Sequence, residues 1–241
     1  MILALLACAV AALGVLLLGA AGPLYRIGVL SLPNAFTLLR WSAYVGVAAM
    51  VAGLLTGWLA YRRSARVGTL LAAAAFLGGV AAFGIPFQWQ RAARSVPPIH
   101  DVTTDLENPP TFEAVVPLRA DAPNTLERSP ALAEQQRQGY PNLAPITLSV
   151  SSDQAFDGAL AAAQEAGWRI VTADKGSGRI EATDTTRWFG FLDDIVVRLT
   201  PWGTGTRVDV RSVSRVGRSD VGTNARRIRR YLDALQQDIG D

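Results

Sequence analysis

The sequence is poor in the residues on which thiol and imidazole chemistry depends. Its 241 residues include one cysteine and one histidine, and Cys8 lies in a long apolar run at the start of the chain. The rest of the chain therefore has no intramolecular disulfide, no zinc site built on thiolates and no cysteine nucleophile. A lone imidazole, that of His100, also cannot complete a two-histidine metal set. We expect no metal site and no cofactor.

Acidic residues and lysine are absent from the first 87 positions, where five arginines carry all the charge. Three apolar stretches in this part are each about 20 residues long, which is the length needed to cross the hydrocarbon core of a bilayer. We predict three transmembrane helices, at about residues 1–22, 41–61 and 67–87. None of the three contains Asp, Glu, Lys, Arg or His. An anchor therefore fits better than a transporter or channel, which needs ionisable groups inside the bilayer.

Arginines near the ends of these stretches predict which way the chain faces. Residues 61–66, "YRRSAR", form a short loop with three arginines, which the positive-inside rule places in the cytoplasm. Residues 1–22 lack a basic start, but "LGAAG" offers small residues where a signal peptidase can cut. If the first stretch is not cleaved, the amino terminus is inside and three crossings leave the rest of the chain outside. If it is cleaved, the new amino terminus is outside and two crossings give the same result. Four other arginines argue against this orientation, because they would then also lie outside: Arg26, Arg40, Arg91 and Arg94.

Residues 88–145 are rich in proline and show no sustained helical or strand period. Within them only "PALAEQQRQGY", residues 130–140, has the spacing of a short helix, of about two turns. Long irregular connections in compact proteins are usually either functional or disordered. Full disorder is disfavoured by the apolar residues in the segment: Ile99, Phe112, Val115, Val116, Leu118 and Tyr140. We expect an extended strap that lies on the folded domain.

The strap contains "IHDVTTD", residues 99–105, which can be a catalytic site or a structural turn. In an extended chain Asp101, Thr103 and Asp105 lie on one face, and His100 lies on the other. A metal site or an acid–base pair needs convergent groups. Asp and Thr side chains in such a segment commonly bind local backbone amides and fix a turn. We favour the structural interpretation and keep the functional one as the alternative.

Beyond residue 145 the hydrophobic period indicates a strand, a helix, four strands and a helix. Ser151 and Gln154 have the spacing of a capping box, and Gly167 ends the helix that follows. We predict an α+β domain over residues 146–241, with an antiparallel sheet and two helices on one face. Alternation in "TRVDVRSV" predicts a solvent-exposed set: Arg207, Asp209 and Arg211. The apolar stripe of the last helix predicts a second exposed set: Arg226, Arg227, Arg230, Asp233 and Gln237.

Residues 211–230, "RSVSRVGRSDVGTNARRIRR", form a candidate site for an anion or a partner. A strand ends in a loop with Gly and Ser that leads into a helix, so backbone amides at the helix start can accept an anion. In the alternative interpretation Asp220 or Thr223 caps the helix, and the arginines form a solvated face. For a membrane-tethered domain the expected ligand is an anionic lipid headgroup. The candidate binding residues are Arg215, Arg218, Ser219, Thr223 and Asn224.

Residues 184–198, "DTTRWFGFLDDIVVR", combine carboxylates with aromatic residues. Carboxylates that act together in glycoside hydrolysis must converge, at about 5 to 9 Å. The neighbours Asp193 and Asp194 point to opposite faces of a strand unless a bulge intervenes. We therefore expect these carboxylates, together with Asp184, to be structural. The aromatic residues are expected to form core or the mouth of a small pocket: Trp188, Phe189 and Phe191.

Three stretches of the sequence, in the same order, resemble a known family. They are "PPIHDVTTD", "IEATDTTRWFGFLDDIVVRL" and "SRVGRSDVGTNARRIRRYLDAL". They resemble the bacterial and plant proteins that contain the domain of unknown function 1499, over about residues 95–240. The resemblance leaves the membrane part aside and implies that "IHDVTTD" belongs to the folded domain. It implies no activity and no catalytic residues.

Two hypotheses of function follow. The first is a non-enzymatic, multi-pass protein of the bacterial inner membrane, with a periplasmic domain that binds an anionic lipid or another envelope protein. Nucleic acid is not an expected partner, because basic residues are interleaved with acidic ones. The second is a hydrolase in which His100 acts with Asp101 or Asp105 and with one of Asp193 or Asp194. No nucleophile elbow, phosphate loop, HExxH motif or dinucleotide fingerprint in the sequence points to a specific reaction.

Overall fold

The computed structural model describes residues 1–239, which divide into two compact units. The first unit contains residues 1–92 together with Trp188–Gly190. The second unit contains the rest of the described chain.

Three long helices make up most of the first unit: α1 (Ile2–Arg26), α2 (Leu32–Arg62) and α3 (Arg66–Arg94). Each is long and apolar enough to cross a membrane, which confirms the predicted number of such helices. All three extend past the predicted spans, and Arg40 lies within α2. Residues 88–94 belong to α3. The prediction of an irregular strap is therefore wrong at its start, because Gln, Arg and Ala favour the helix.

Small residues allow the three helices to approach one another closely. A Cβ atom at Gly46 of α2 would lie 2.8 Å from the carbonyl oxygen of Gly79 of α3, which is too close for a side chain. The buried hydroxyl of Ser42 lies 3.0 Å from the carbonyl oxygens of both Gly14 and Ala82, so it connects α2 with α1 and α3. Close packing and interhelical hydrogen bonds hold membrane helices together, since the hydrophobic effect does not act between them.

The loop Trp188–Gly190 contributes two rings to an aromatic cluster in this first unit. The ring centroid of Phe189 lies 5.8 Å from that of Phe36. Trp188 packs edge-on against Trp89, with centroids 4.7 Å apart. Such pairs contribute about 0.5–1.5 kcal/mol each beyond the area they bury. Phe189 is 4% exposed and therefore belongs to the core of this unit.

A six-stranded antiparallel sheet forms the centre of the second unit, in the order β1-β6-β5-β4-β3 with β2 also paired to β6. The strands are β1 (Asp101–Thr103), β2 (Ile146–Leu148), β3 (Arg169–Asp174), β4 (Arg179–Thr185), β5 (Leu192–Trp202) and β6 (Gly205–Ser214). The helices are α4 (Pro130–Gly139), α5 (Ser152–Glu165) and α6 (Thr223–Ile239), with a 3₁₀ helix at Val116–Arg119. The predicted α+β fold is confirmed.

The sixth strand, β1, comes from the predicted strap. Val102 pairs with Ser212 of β6, and the amide of Ser214 donates to the carbonyl of His100 over 2.9 Å. Three residues are too few to show a strand period, so the sequence predicted only the other five strands. The short helix predicted within the strap is α4.

Helices α5 and α6 pack against one face of the sheet. α5 begins with the predicted capping box: the Ser151 hydroxyl accepts from the amide of Gln154, whose side chain accepts from the amide of Ser151. The apolar core between helices and sheet includes Phe156, Ile180, Ile195, Val208 and Ile228.

The other face of the sheet is also covered, which contradicts the solvent exposure predicted for β6. Asp209 is 1% exposed and Arg211 is 4% exposed. Arg211 donates to the carbonyls of Pro110 and Leu126 in the strap, and the strap thereby shields the strand from water. Alternation identifies the side chains that share a face, but it does not reveal what covers that face.

Arg227 of α6 was also predicted to face water and is 4% exposed. Its guanidinium turns toward the sheet, where Nη2 lies 2.8 Å from a carboxylate oxygen of Asp184 and 2.6 Å from one of Asp193. The prediction failed because these two carboxylates offset the cost of burying the charge.

Candidate functional site

Ion pairs fill the space between the sheet and the strap. Four carboxylates in this space are each at most 1% exposed. We call the whole set the ionic layer: it comprises Asp101, Glu181, Asp194 and Asp209 with Arg119, Arg128, Arg198, Arg207, Arg211 and Arg215. A buried charge is costly unless it is paired and hydrogen-bonded. The strap and the sheet therefore depend on each other for their charges.

Asp101, a candidate catalytic residue, is held between two arginines of the ionic layer. Its Oδ1 accepts from Arg128 Nη1 over 2.7 Å, and its Oδ2 accepts from Arg211 Nη2 over 2.8 Å. The Gln136 side chain of α4 bonds to both the amide and the carbonyl of Thr103, over 3.1 and 2.5 Å. Both carboxylate oxygens of Asp101 are therefore occupied by arginines, and these bonds help to hold β1 in place.

Asp194 has a comparable arrangement on β5. Arg119 Nη1 donates to Oδ2 over 2.6 Å, Arg215 donates to both oxygens over 2.9 Å, and the Thr183 hydroxyl donates to Oδ1 over 2.7 Å. Burial acts to raise the pKa of Asp194, but the hydrogen bonds from Arg215, Thr183 and Arg119 outweigh it and lower the pKa below 3.8. The carboxylate therefore stays ionised at neutral pH.

The remaining two carboxylate candidates are also held by arginines. Asp105 Oδ2 accepts from Arg207 over 2.7 Å, and its Oδ1 accepts from the amides of Glu107 and Asn108. Asp193 lies on the helix side of the sheet with Arg227, whereas Asp194 lies on the strap side with Arg119. The two neighbours therefore do point to opposite faces.

His100 does not join these carboxylates. Its carbonyl accepts from Ser214 and Asn224. Its side chain makes no hydrogen bond or ion pair with any residue in the range 1–239. The set required by the hydrolase hypothesis is thus divided among three places: the ionic layer, the helix side of the sheet and the site of His100.

The residues before α6 use their backbone amides internally. Asp220 accepts from the amide of Gly222 over 2.8 Å and from that of Asn224 over 2.6 Å, and the Ser219 hydroxyl accepts from Val221. Burial raises the pKa of Asp220 above its ordinary value, although the bonds from Asn224 and Gly222 act to lower it. Asp220 therefore caps α6, and the predicted anion site at these amides is already filled by a side chain.

Of the predicted anion-binding residues, three have structural roles and two line cavities. Arg215 pairs with Asp194, Ser219 binds a local amide, and buried Asn224 bonds to Ser212, Ser214 and the His100 carbonyl. Arg218 and Thr223 line two different cavities.

We call the first cavity the strap pocket. It has a volume of about 490 Å³ and lies between the start of the strap, α4 and the loop before α6. His100 and Arg218 contribute its two ionisable side chains, and no Asp or Glu lines it. Neither His100 nor Arg218 has a side-chain hydrogen-bond or ion-pair partner within residues 1–239. Its other lining residues include Pro98, Pro123, Asn124, Leu132 and Gln135.

The sequence showed no sign of several residues that build these sites. Arg119, Arg128 and Gln136 looked like ordinary polar residues of the strap. Their partners on strands β1, β5 and β6 lie 27 to 94 residues away along the chain. The sequence gives one indication of the ionic layer, which is the number of polar residues in the strap together with the charged residues of β6. This indication does not show which residues pair. Within the described chain, residues 1–239, no cluster of three or more His, Cys, Asp or Glu is placed to hold a metal ion.

Comparison with known proteins agrees with the family resemblance of the three stretches described above. No curated protein matches the chain. Residues 101–235, more than half of the sequence, match the family described as protein of unknown function (DUF1499). The match begins at the first residue of β1 and ends within α6, so the strap from residue 101 onward and the ionic layer lie inside the family's domain. The chain therefore belongs to the DUF1499 family.

Proposed function

We propose that this protein is a non-enzymatic, membrane-anchored binding domain whose strap pocket takes the headgroup of an anionic lipid. The three apolar helices of the first unit supply the anchor. One observation carries the proposal. His100 and Arg218 line the same pocket, and no carboxylate lines it.

The charge of Arg218 distinguishes it from the arginines of the ionic layer. Each of those arginines lies within 3.0 Å of a carboxylate oxygen. Arg198 and Arg207 share the carboxylates of Asp105 and Asp209. The exposed guanidinium of Arg218 has five N–H donors and no acceptor within residues 1–239. A guanidinium of this kind binds phosphate strongly because both of its N–H edges can donate.

The covalent chain also supports a lipid as the source of the anion. Five residues lie between Arg94 at the end of α3 and His100, so six extended steps of about 3.3 to 3.6 Å join the two. The strap pocket is therefore built partly from residues that follow α3 directly in the sequence. An anionic bilayer surface attracts basic groups within about a Debye length, which is roughly 8 to 10 Å.

We further propose that the second unit lies on the periplasmic face of a bacterial inner membrane. The support is the arginine-rich loop of residues 61–66, which favours the cytoplasm. If that loop is cytoplasmic, one crossing by α3 leaves the chain after α3 on the periplasmic side. No geometric observation favours the hydrolase, because its four carboxylates are each held by arginine.

Calorimetric titration of the full-length protein in neutral nanodiscs tests the proposal. The probes are a short-chain phosphatidylglycerol, the matching phosphatidylcholine and inorganic phosphate. We expect the anionic lipid to bind most tightly, and Arg218→Gln to weaken it roughly tenfold or more, since a hydrogen bond to a charged group contributes about 1.5–3 kcal/mol.

The matched control is Arg137→Gln, which removes an exposed arginine that pairs only with exposed glutamates. Its affinity for the lipid should equal that of the wild type. Unchanged binding by Arg218→Gln would contradict the pocket. Equal affinities for phosphate and for the anionic lipid would assign the pocket to a free anion and contradict the lipid. Replacement of Arg215 is not informative, because it would also leave Asp194 with a buried, partly unpaired charge.

A further inference from the structure

The second cavity is a groove on the helix side of the sheet, which we call the helix groove. Its volume is about 590 Å³, within the range of about 300–1,000 Å³ that is usual for small-molecule sites. Trp168 and Tyr231 line it and stack on each other with ring centroids 4.7 Å apart. Ala162 of α5 and Ala234 of α6 add small apolar side chains. The groove shares no lining residue with the strap pocket.

The deepest charge of the helix groove is neutralised by the protein itself. Arg227 is 4% exposed and pairs with both Asp184 and Asp193. Burial acts to lower the pKa of Arg227, but the two carboxylates outweigh it and raise the pKa. This group therefore serves as a fixed polar wall and does not provide a free charge for a ligand.

Arg230 provides the charge that remains for a ligand. Its Nε donates to the carbonyl of Arg226 over 3.4 Å, on its own helix. Its two terminal nitrogens have no acceptor in the part of the chain that the structure describes. Arg187 lines the same groove and adds a second positive charge.

Carboxylates on the same groove limit the charge of the ligand. Glu165 lines it without an ion-pair partner within residues 1–239, whereas Asp184 is paired with Arg227. Like charges close together repel. A dianion would gain from Arg230 but would be repelled by Glu165. A neutral molecule would leave the donors of Arg230 unused. The balance of charges selects a monoanion.

We propose that the helix groove binds a small monocarboxylate with an apolar, ring-sized body. The carboxylate pairs with Arg230, and the body lies against exposed Ala166 and Ala234 beside the accessible edge of the largely buried Trp168. The hydroxyl of Thr185, which makes no side-chain hydrogen bond within residues 1–239, is a further donor on the wall of the groove. This site is independent of the lipid site proposed for Arg218.

Ligand-observed NMR on the full-length protein in detergent micelles tests this proposal, with phenylacetate as the probe. Phenylacetamide has the same shape without the charge, and phenyl phosphate carries a second charge. Phenylacetate is expected to bind at least fivefold more tightly than either. Equal binding of the acid and the amide would overturn the proposal, and tighter binding of phenyl phosphate would overturn the assignment to a monoanion.

Two substitutions locate the ligand. Arg230→Gln removes the charge and Ala234→Leu fills the groove at an exposed position, and each should weaken phenylacetate at least fivefold. Arg229→Gln is the matched control, since that neighbouring arginine lies over Tyr140 and not in the groove. Arg218→Gln should leave phenylacetate binding unchanged, which separates this test from that of the lipid site. Wild-type affinity in both Arg230→Gln and Ala234→Leu would contradict the site.

Discussion

At the scale of single residues, the protein depends on arginine for a role that lysine cannot fill. Arg211 donates through Nε and Nη2 to Asp101 while its Nη1 and Nη2 also donate to the carbonyls of Pro110 and Leu126. A planar guanidinium supports several directed bonds at once, whereas an ammonium group has three donors on a flexible stem. Lys175, the one lysine, makes an exposed pair with Asp157.

Asp194→Asn should destabilise the domain strongly. The substitution keeps the shape but removes the charge between Arg119 and Arg215, and breaking a buried pair costs about 3–5 kcal/mol. Urea unfolding followed by near-ultraviolet circular dichroism measures the loss. Asp157→Asn is the matched control, because an exposed pair contributes about 0–1 kcal/mol. A similar small loss for both variants would show that the ionic layer is not a stabilising element.

The same variant predicts a pH dependence. The pKa of Asp194 is lower in the folded protein than its ordinary value of 3.8. Its ionised form therefore stabilises the fold fully above that value, and this contribution is lost as the pH falls through the lowered pKa. The stability difference between wild type and Asp194→Asn should be constant near neutral pH and should shrink below pH 3.8. A difference that grew in acid would contradict the assignment.

At the scale of elements, the turn that leads into α6 has an unfavourable backbone conformation. Val221 has φ +53°, followed by Gly222 with φ +74°. A β-branched residue is rarely found in the left-handed region, which costs an L-residue about 1–2 kcal/mol. Asn tolerates this region, so Val221→Asn should raise the free energy of unfolding by about 1 kcal/mol. Val221→Ile is the control: it keeps the backbone strain and should change the free energy of unfolding little. An Asn variant less stable than the wild type would show that packing of the valine outweighs the strain.

Elements whose signals are local could be predicted from the sequence, and elements that depend on distant contacts could not. The capping box of Ser151 and Gln154 lies within four residues, so α5 was predicted with its start. β1 was missed because its three residues become a strand only through β6, which lies about 110 residues further along.

The candidate sites follow the same rule. His100 and Arg218 attracted notice as the only histidine and as an arginine of a glycine-containing loop, and the structure places both in the strap pocket. Their joint location was not predictable, because 118 positions separate them and Asn124 and Gln135 complete the lining from a segment with no motif. The helix groove was not predicted, because its lining comes from distant parts of the chain: 63 positions separate Trp168 from Tyr231.

At the scale of the whole molecule, the proposed orientation predicts which positions an impermeant reagent can reach. In a Cys8→Ala background, Ser177→Cys places a thiol in the exposed turn between β3 and β4. An impermeant maleimide should label it in intact spheroplasts. Ala65→Cys, in the exposed loop between α2 and α3, should be labelled only after lysis. The reverse pattern would place the second unit in the cytoplasm.

The pairing of β1 with β6 also sets the order in which the domain can be completed during synthesis. Asp101 and Arg211 are 110 residues apart, and ribosomes add about 5–20 residues per second. Roughly 5 to 20 seconds therefore pass between the appearance of the first partner and that of the second. Throughout that interval the early charges remain hydrated on an unpaired chain, so the last segment to emerge determines when the domain closes.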